Sequence, residues 1–210
     1  MDARVNSVVL PLAKYLMPEA QAAQASGEGY LAAVVLHEIS HGLGPAYSRV
    51  NGKQAPITEA IGPVYSALEE AKADVVGMYG LAWLMDHGAL PKSRAQEYYS
   101  SYVAGIFRSV RYGVAEAHGR AEMMEFNYLV EQKAVNRVAG QYAVDFARMP
   151  AAIASLSKEL LTIEATGDRA RAEAWFNRYD KIPAELAEAM KAASKLPVDI
   201  WPMFSFKLME

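Results

Sequence analysis

The sequence of 210 residues contains no cysteine. This excludes a disulfide framework, a thiolate zinc cluster, an iron–sulfur centre and a cysteine nucleophile. Histidine is scarce as well: there are four, at positions 37, 41, 87 and 118, so a metal would have to be held by these together with Asp and Glu. Neither sign of charge dominates. Lys and Arg number 21 against 24 Asp and Glu, a net charge of −3, and no basic field favours nucleic acid or an anionic membrane. Long apolar runs are missing. The uncharged stretch at 75–85 falls far short of the roughly 20 residues that span a bilayer. The first apolar run is short, broken by Pro11 and followed by Lys14, which is not a secretory signal. The expectation is a soluble, cytoplasmic chain with neither a nucleic-acid nor a membrane partner.

What is present is apolar and helical in texture. Apolar residues make up 52% of the chain and charged ones 21%, enough to build a sizeable core in one mainly α domain covering 1–210. The pattern predicts a short helix at 10–17 stopped by Pro18. A nearly all-apolar helix follows at 28–43, with Ser26 as its cap and Gly42, Gly44 and Pro45 as its stop. Being apolar on nearly all faces, that helix is expected in the middle of the packed domain. Residues 45–63 read as a loop with a turn at Asn51-Gly52 and a turn of helix at 58–61. Further helices are predicted at 65–87, at 94–112 with Ser93 as cap, and at 114–134. Others are predicted at 151–165, 169–179 and 184–193. One small β-hairpin is expected at 135–144. The tail, 196–206, reads as extended against the body.

The chemistry concentrates in His37-Glu38-Ile39-Ser40-His41. Histidines at i and i+4 share a helix face, so both imidazoles can meet one Zn²⁺, and a carboxylate beside the first can take the proton of an attacking water. Two histidines need a third protein ligand, and Glu69-Glu70-Ala71-Lys72-Ala73-Asp74 on the next long helix offers one. Glu70 is the expected ligand. Asp74, one turn on, and Glu69, about 100° away, are expected to orient the histidines through their other ring nitrogens. An ordinary acidic face pairing with Lys72 is the competing reading. His118, beside Gly119 with Glu116 and Arg120 near it, is a candidate to steady an oxyanion. His87 precedes Gly88 at a helix end and is explained by the helix dipole. The tyrosines at 98, 99 and 102 and Trp175-Phe176 read as packing. Ser40 reads as a small packing residue.

The pair of motifs, H-E-x-x-H followed by E-E-x-K-x-D, resembles the dipeptidyl-peptidase III family of zinc exopeptidases in its pentapeptide form. Most members carry one more residue before the second histidine, and Asp74 stands where Glu is commoner. Tyr112-Gly-Val-Ala-Glu-Ala-His118, the hairpin, residues 161–168 and residues 196–200 are also similar to the family. The resemblance implies a helical zincin-like catalytic lobe. His37, His41 and Glu70 would hold one Zn²⁺, Glu38 would act as general base and acid, Glu69 and Asp74 would stand behind the ligands, and His118 would support the transition state. It also implies removal of N-terminal dipeptides from oligopeptide substrates. Family members have two lobes, so the chain reads as the C-terminal part of a longer protein whose upstream, substrate-holding lobe is absent here. Some family domains follow a Nudix hydrolase domain, although no G-x₅-E-x₇-R-E-x-x-E-E pattern occurs in this sequence. Three readings remain open: a zinc peptidase lobe, a zinc-binding but inactive interaction module, and a structural helical domain with an accidental motif.

Overall fold

The computed structural model describes residues 1–201 and 203. The chain opens with α1 (Asp2–Arg4), a π-helical turn (Val5–Val9) and α2 (Leu10–Leu16), which Pro18 brings to an end. Sequence pattern predicts helix only from residue 10. Val5, Val8 and Val9 extend it because they are buried in the core, and packing outweighs their weak helical preference. After α3 (Glu19–Ala22) comes α4 (Gly27–Ser40), and Ser26 caps it as expected, its Oγ accepting from the Gly29 N–H at 2.9 Å.

Residues 45–63, read as loop, hold a second hairpin that the sequence reading did not anticipate. Strands β1 (Ser48–Val50) and β2 (Lys53–Ala55) pair antiparallel, and α5 (Ile57–Ile61) follows. Asn51 and Gly52 both lie at positive φ, 50° and 78°, which is what a tight two-residue hairpin turn demands. Next come α6 (Tyr65–Asp86), α7 (Ala95–Val110) and α8 (Ala117–Glu131). Ser93 does not cap α7, because a 3₁₀ turn over Lys92–Arg94 leads into it; α8 is capped by Glu116, which accepts from Gly119 N–H. The predicted hairpin is β3 (Val135–Val138) with β4 (Gln141–Val144). Helices α9 (Met149–Thr166), α10 (Arg169–Tyr179) and α11 (Ala184–Ala192) complete a mainly α fold with two small hairpins.

Helix α6 divides the apolar interior. On one side Met78, Leu81 and Met85 join α2, α7 and Phe126 of α8; on the other Leu68, Ala71 and Val75 join Leu156, Leu160 and Ile163 of α9 and Phe176 of α10. Tyr98, Tyr99 and Tyr102 are buried in the first cluster and Phe176 in the second, as the packing reading required. The tail packs through Leu196 and Ile200. Asp199 accepts from Arg4 at 2.9 Å, Arg108 at 2.9 Å and Tyr112 at 2.7 Å. Trp201 and Met203 are exposed, and the rest of the expected extended segment, at 202 and 204–206, lies outside the described residues. No helix among the described residues is long and apolar enough to cross a membrane.

Helix α4 departs from expectation. It is not enclosed: Leu31, Val35 and Ile39 are 45%, 47% and 54% exposed. Spaced four apart, they form one ridge turned away from the faces that α6 and α7 cover. Tyr79 and Trp83 of α6 are also about half exposed. Trp83 stacks on His87, whose Nδ1 lies 2.8 Å from the Trp83 carbonyl, so His87 finishes the helix end.

The covered face of α4 meets α6 at backbone distance. A Cβ on Gly77 would stand 2.9 Å from the Leu36 carbonyl carbon and 3.0 Å from the His37 nitrogen. Those atoms belong to a helix backbone and cannot swing aside. Gly77→Ala is therefore expected to push the two helices apart and lower stability by about 1–3 kcal/mol, despite alanine's better helix propensity. Urea denaturation checks this, and an unchanged or raised midpoint would contradict the close approach.

Candidate metal centre

Because α4 and α6 cross in opposite directions, successive turns of one meet successive turns of the other in reverse order. His37 faces Asp74 and Glu70, and His41 faces Glu70 and Glu69. The 37/41 spacing puts both imidazoles on one face of α4, and the 70/74 spacing puts both carboxylates on one face of α6. His37 Nδ1 lies 2.7 Å from Asp74 Oδ1, and His41 Nδ1 lies 3.0 Å from Glu69 Oε1. With protons on those Nδ1 atoms, the Nε2 lone pairs face inward.

The inward atoms converge. His37 Nε2 and His41 Nε2 are 3.1 Å apart, and Glu70 Oε2 is 3.3 Å from the first and 3.7 Å from the second. Ligands on arms of ~2.0–2.1 Å around a tetrahedral ion are separated by about 3.3 Å. Glu70 Oε2 is enclosed, and none of the surrounding imidazole nitrogens meets it with hydrogen-bond geometry. Lone pairs facing one another repel unless something positive stands between them, so the donor set fits a divalent cation. His118 joins from the start of α8: its Nε2 is 3.2 Å from Glu70 Oε2 and its Nδ1 2.9 Å from Glu116 Oε1. His37, Glu70 and His118 thus form a group able to hold a metal ion. His41 reaches the same junction through His37 and Glu70.

The electrostatics point the same way. Burial works against a charge on Glu70, yet the His118 and His37 imidazoles pull its carboxyl far below the usual carboxylate range. Burial likewise opposes a charged His37, but Asp74 and Glu70 outweigh it and lift the ring to about 10. Glu70, against burial and with help from Glu116, lifts His118 to about 9. The pocket calls for positive charge, which protons or a cation can supply.

Lys72 secures the end of α4. It is 2% exposed, pairs with Glu69 at 2.7 Å, and donates to the carbonyls of Ser40 at 2.9 Å and Leu43 at 3.0 Å. Its charge therefore sits against the negative end of the helix dipole just past the second histidine. The competing reading of an ordinary acidic face does not hold, because Lys72 is buried; of it only the Glu69–Lys72 pairing is present, and Glu69 also faces His41. Glu38 lies on the exposed side and lines a cavity of about 140 Å³ together with His37, Asp74, Arg108 and His118.

The structure thus brings His37, His41, Glu69, Glu70, Asp74 and His118 to one junction and leaves Glu38 on the adjoining cavity wall. Three buried charged residues near the site are not marked as such by the sequence pattern. In sequence Lys72 reads only as the partner of an acidic face. Glu125 and Glu164 interrupt apolar runs, Met123-Met124-Glu125-Phe126 and Leu160-Leu-Thr-Ile163-Glu164, and that interruption was their signal.

No family model matches the chain. Among solved structures it is similar to dipeptidyl-peptidase III from Caldithrix abyssi: 33% identity and a TM-score of 0.93, covering 97% of this chain and 39% of that one. It is equally similar to dipeptidyl-peptidase III from Corallococcus sp. strain EGB, at 33% identity and TM-score 0.93, covering 96% of this chain and 38% of that one. The architecture is that of a dipeptidyl-peptidase III-like catalytic lobe. Among curated proteins, the chain is 36% identical over 207 residues to Nudix hydrolase 3 of Arabidopsis thaliana. It spans 27% of that protein's length, and under two fifths of each solved chain.

Lys72→Met would keep much of the side-chain volume but remove the charge that serves Glu69 and the end of α4. Breaking a buried pair on one side is strongly destabilising, and Glu69 retains some water, so a loss of about 2–4 kcal/mol is expected. Chemical denaturation measures it. A loss below about 0.5 kcal/mol would mean that the lysine is not a structural clamp.

Proposed function

We propose that this chain is the zinc-binding catalytic lobe of a peptidase that releases dipeptides from the N-termini of oligopeptides. The observation that carries this reading is the convergence of His37 Nε2, His41 Nε2 and Glu70 Oε2 at 3.1–3.7 Å, with a carboxylate on the far nitrogen of each imidazole. In this reading those three groups hold one Zn²⁺, and Asp74 and Glu69 fix the histidine tautomers and ring orientations. Bound zinc supplies Lewis acidity toward a peptide carbonyl and toward water.

The remaining roles belong to the chain's own side chains. The Glu38 carboxylate, next to a ligand and open to the cavity, accepts a proton from the attacking water and returns it to the leaving amine. His118, held between Glu70 and Glu116, which lift its ring above the usual imidazole range, donates toward the oxygen on which charge develops. His118 is the alternative third imidazole for the ion. We assign it to the oxyanion because it stands half exposed on the first turn of α8, whereas His41 is backed by Glu69 and Lys72.

Substrate length and specificity would come from the upstream lobe that the two-fifths coverage of the solved chains leaves room for. The ridge Leu31–Val35–Ile39 is the surface on which we place contact with it. A second reading is supported by the similarity to Nudix hydrolase 3: the lobe binds zinc but acts as an interaction module within a longer protein.

Metal analysis after chelator-free purification tests the centre, with one equivalent of zinc expected and loss on His37→Ala/His41→Ala. Absence of stoichiometric metal in the wild type would defeat both readings. In the full-length protein, Glu38→Ala should retain zinc while hydrolysis of dipeptidyl-arylamides falls by about 10²–10⁴. Zinc without hydrolysis by the full-length wild type would favour the interaction module.

A further inference from the structure

Two buried glutamates take no part in that scheme. Glu125 of α8 is fully enclosed and Glu164 of α9 is 1% exposed. Each meets a carboxylate that already serves a histidine. The Glu125 carboxyl lies within reach of Asp74, the partner of His37, and the Glu164 carboxyl within reach of Glu69, the partner of His41. In both, Oε1 is enclosed with no donor directed at it. The other oxygen of Glu125 is anchored by Tyr102, whose Oη–H donates to Oε2 at 2.7 Å. Lys72, the cation near Glu164, is committed to Glu69 and to the Ser40 and Leu43 carbonyls.

Two carboxyls in hydrogen-bond contact away from water cannot both be anions, since the repulsion and the lost hydration have no compensation. One proton between them turns the repulsion into a donated bond, and it resides on the more deeply buried member. We infer that Glu125 and Glu164 are neutral carboxylic acids that donate hydrogen bonds to Asp74 and Glu69, so that each histidine of α4 is set by a two-acid relay. One relay runs His37–Asp74–Glu125–Tyr102, and the other His41–Glu69–Glu164. Burial pushes the Glu125 carboxyl well above the carboxylate range, with Asp74 and Glu122 adding to it. Burial and Glu69 push Glu164 up to about 8 against the pull of Lys72.

Both are positioning residues. A neutral donor pins the orienting carboxylate without adding a cation beside it, so Asp74 keeps its charge for His37, while Glu69 already shares its charge with Lys72. The consequence for zinc rests on the proposed metal centre, whereas the protonation state is a property of the chain itself.

The two are separable by experiment. Infrared spectra of the metal-free protein at neutral pH should show carboxylic-acid C=O absorption above the carboxylate bands, with one component lost in Glu125→Gln and another in Glu164→Gln. Zinc affinity, measured by chelator competition, should stay near wild type in both Gln variants, which keep a neutral donor of the same shape. It should fall about 10–100-fold in Glu125→Leu and Glu164→Leu, which do not. Absence of acid absorption, or an acid band unchanged from wild type in both Gln variants, would overturn the inference, as would Gln variants that lose zinc as readily as Leu ones. Should the Leu variants not fold, the infrared spectra and the Gln affinities decide. A wild type that binds no zinc would sink the metal centre and leave the infrared result to stand by itself.

Discussion

Imidazoles of α4 are held against carboxylates of α6, and the geometry of the site depends on how closely those two helices approach. With Leu36–His37 backbone lying where a side chain on Gly77 would be, the helices meet at main-chain contact. At that distance short acids suffice: Asp74 reaches His37 Nδ1 at 2.7 Å. A wider crossing would require longer side chains, with more rotamers to freeze and looser aim. An aspartate at position 74 is thus matched to the spacing of this pair of helices. Lys72 closes the arrangement by tying the end of α4 to the same turn of α6 that carries Glu69 and Glu70.

Charge explains why such a cluster is tolerated. Glu69, Glu70, Asp74 and Glu116 meet around three imidazoles and one lysine, with Glu125 and Glu164 directly behind. A negative surplus in a partly buried pocket would repel itself apart if every carboxyl were ionised without a counter-charge. Structure and surroundings divide the acids into two kinds. Glu70, Glu69 and Glu116, which face imidazole nitrogens, are held below the usual carboxylate range. Those one layer deeper are pushed toward the neutral form. This layering concentrates the demand for positive charge at the junction of His37, His41 and Glu70, a demand that a divalent ion could meet with one particle.

Much of this was legible from local pattern. The i, i+4 histidines and the E-E-x-K-x-D run depend only on helix period, and Pro18 and Ser26 mark the end of α2 and the start of α4. The features that escaped depend on what packs against what. Val5–Val9 is helical because it is buried, and propensity alone does not report that. The β1–β2 hairpin hangs on two residues at positive φ inside a segment that otherwise looks like loop. Glu125 and Glu164 lie on α8 and α9, far in sequence from the histidines they support, and only the crossing of four helices brings them together. Composition could say that a charged residue interrupted an apolar run; it could not say what that residue faced.

The exposure of α4 follows from the same limit and carries an argument of its own. An all-round apolar helix is compatible with a place in the interior or with a place at an interface, and period analysis does not separate the two. Here one face packs on α6 and α7 while Leu31, Val35 and Ile39 stand about half exposed. The site shares this asymmetry. His37, Glu70 and Asp74 are mostly enclosed, whereas Glu38 and His118 stand toward solvent beside the cavity. In the proposed function, the metal-holding half of the chemistry is built into the helical body, and the residues assigned to the reaction face the side that carries the apolar helix. A peptide bound against Glu38 and His118 in this chain alone would be covered on one side only, leaving water free to compete with every hydrogen bond made to it. Under the proposed function, a second body seated on the α4 ridge would bury that ridge and exclude the water, so that one surface would serve both assembly and catalysis.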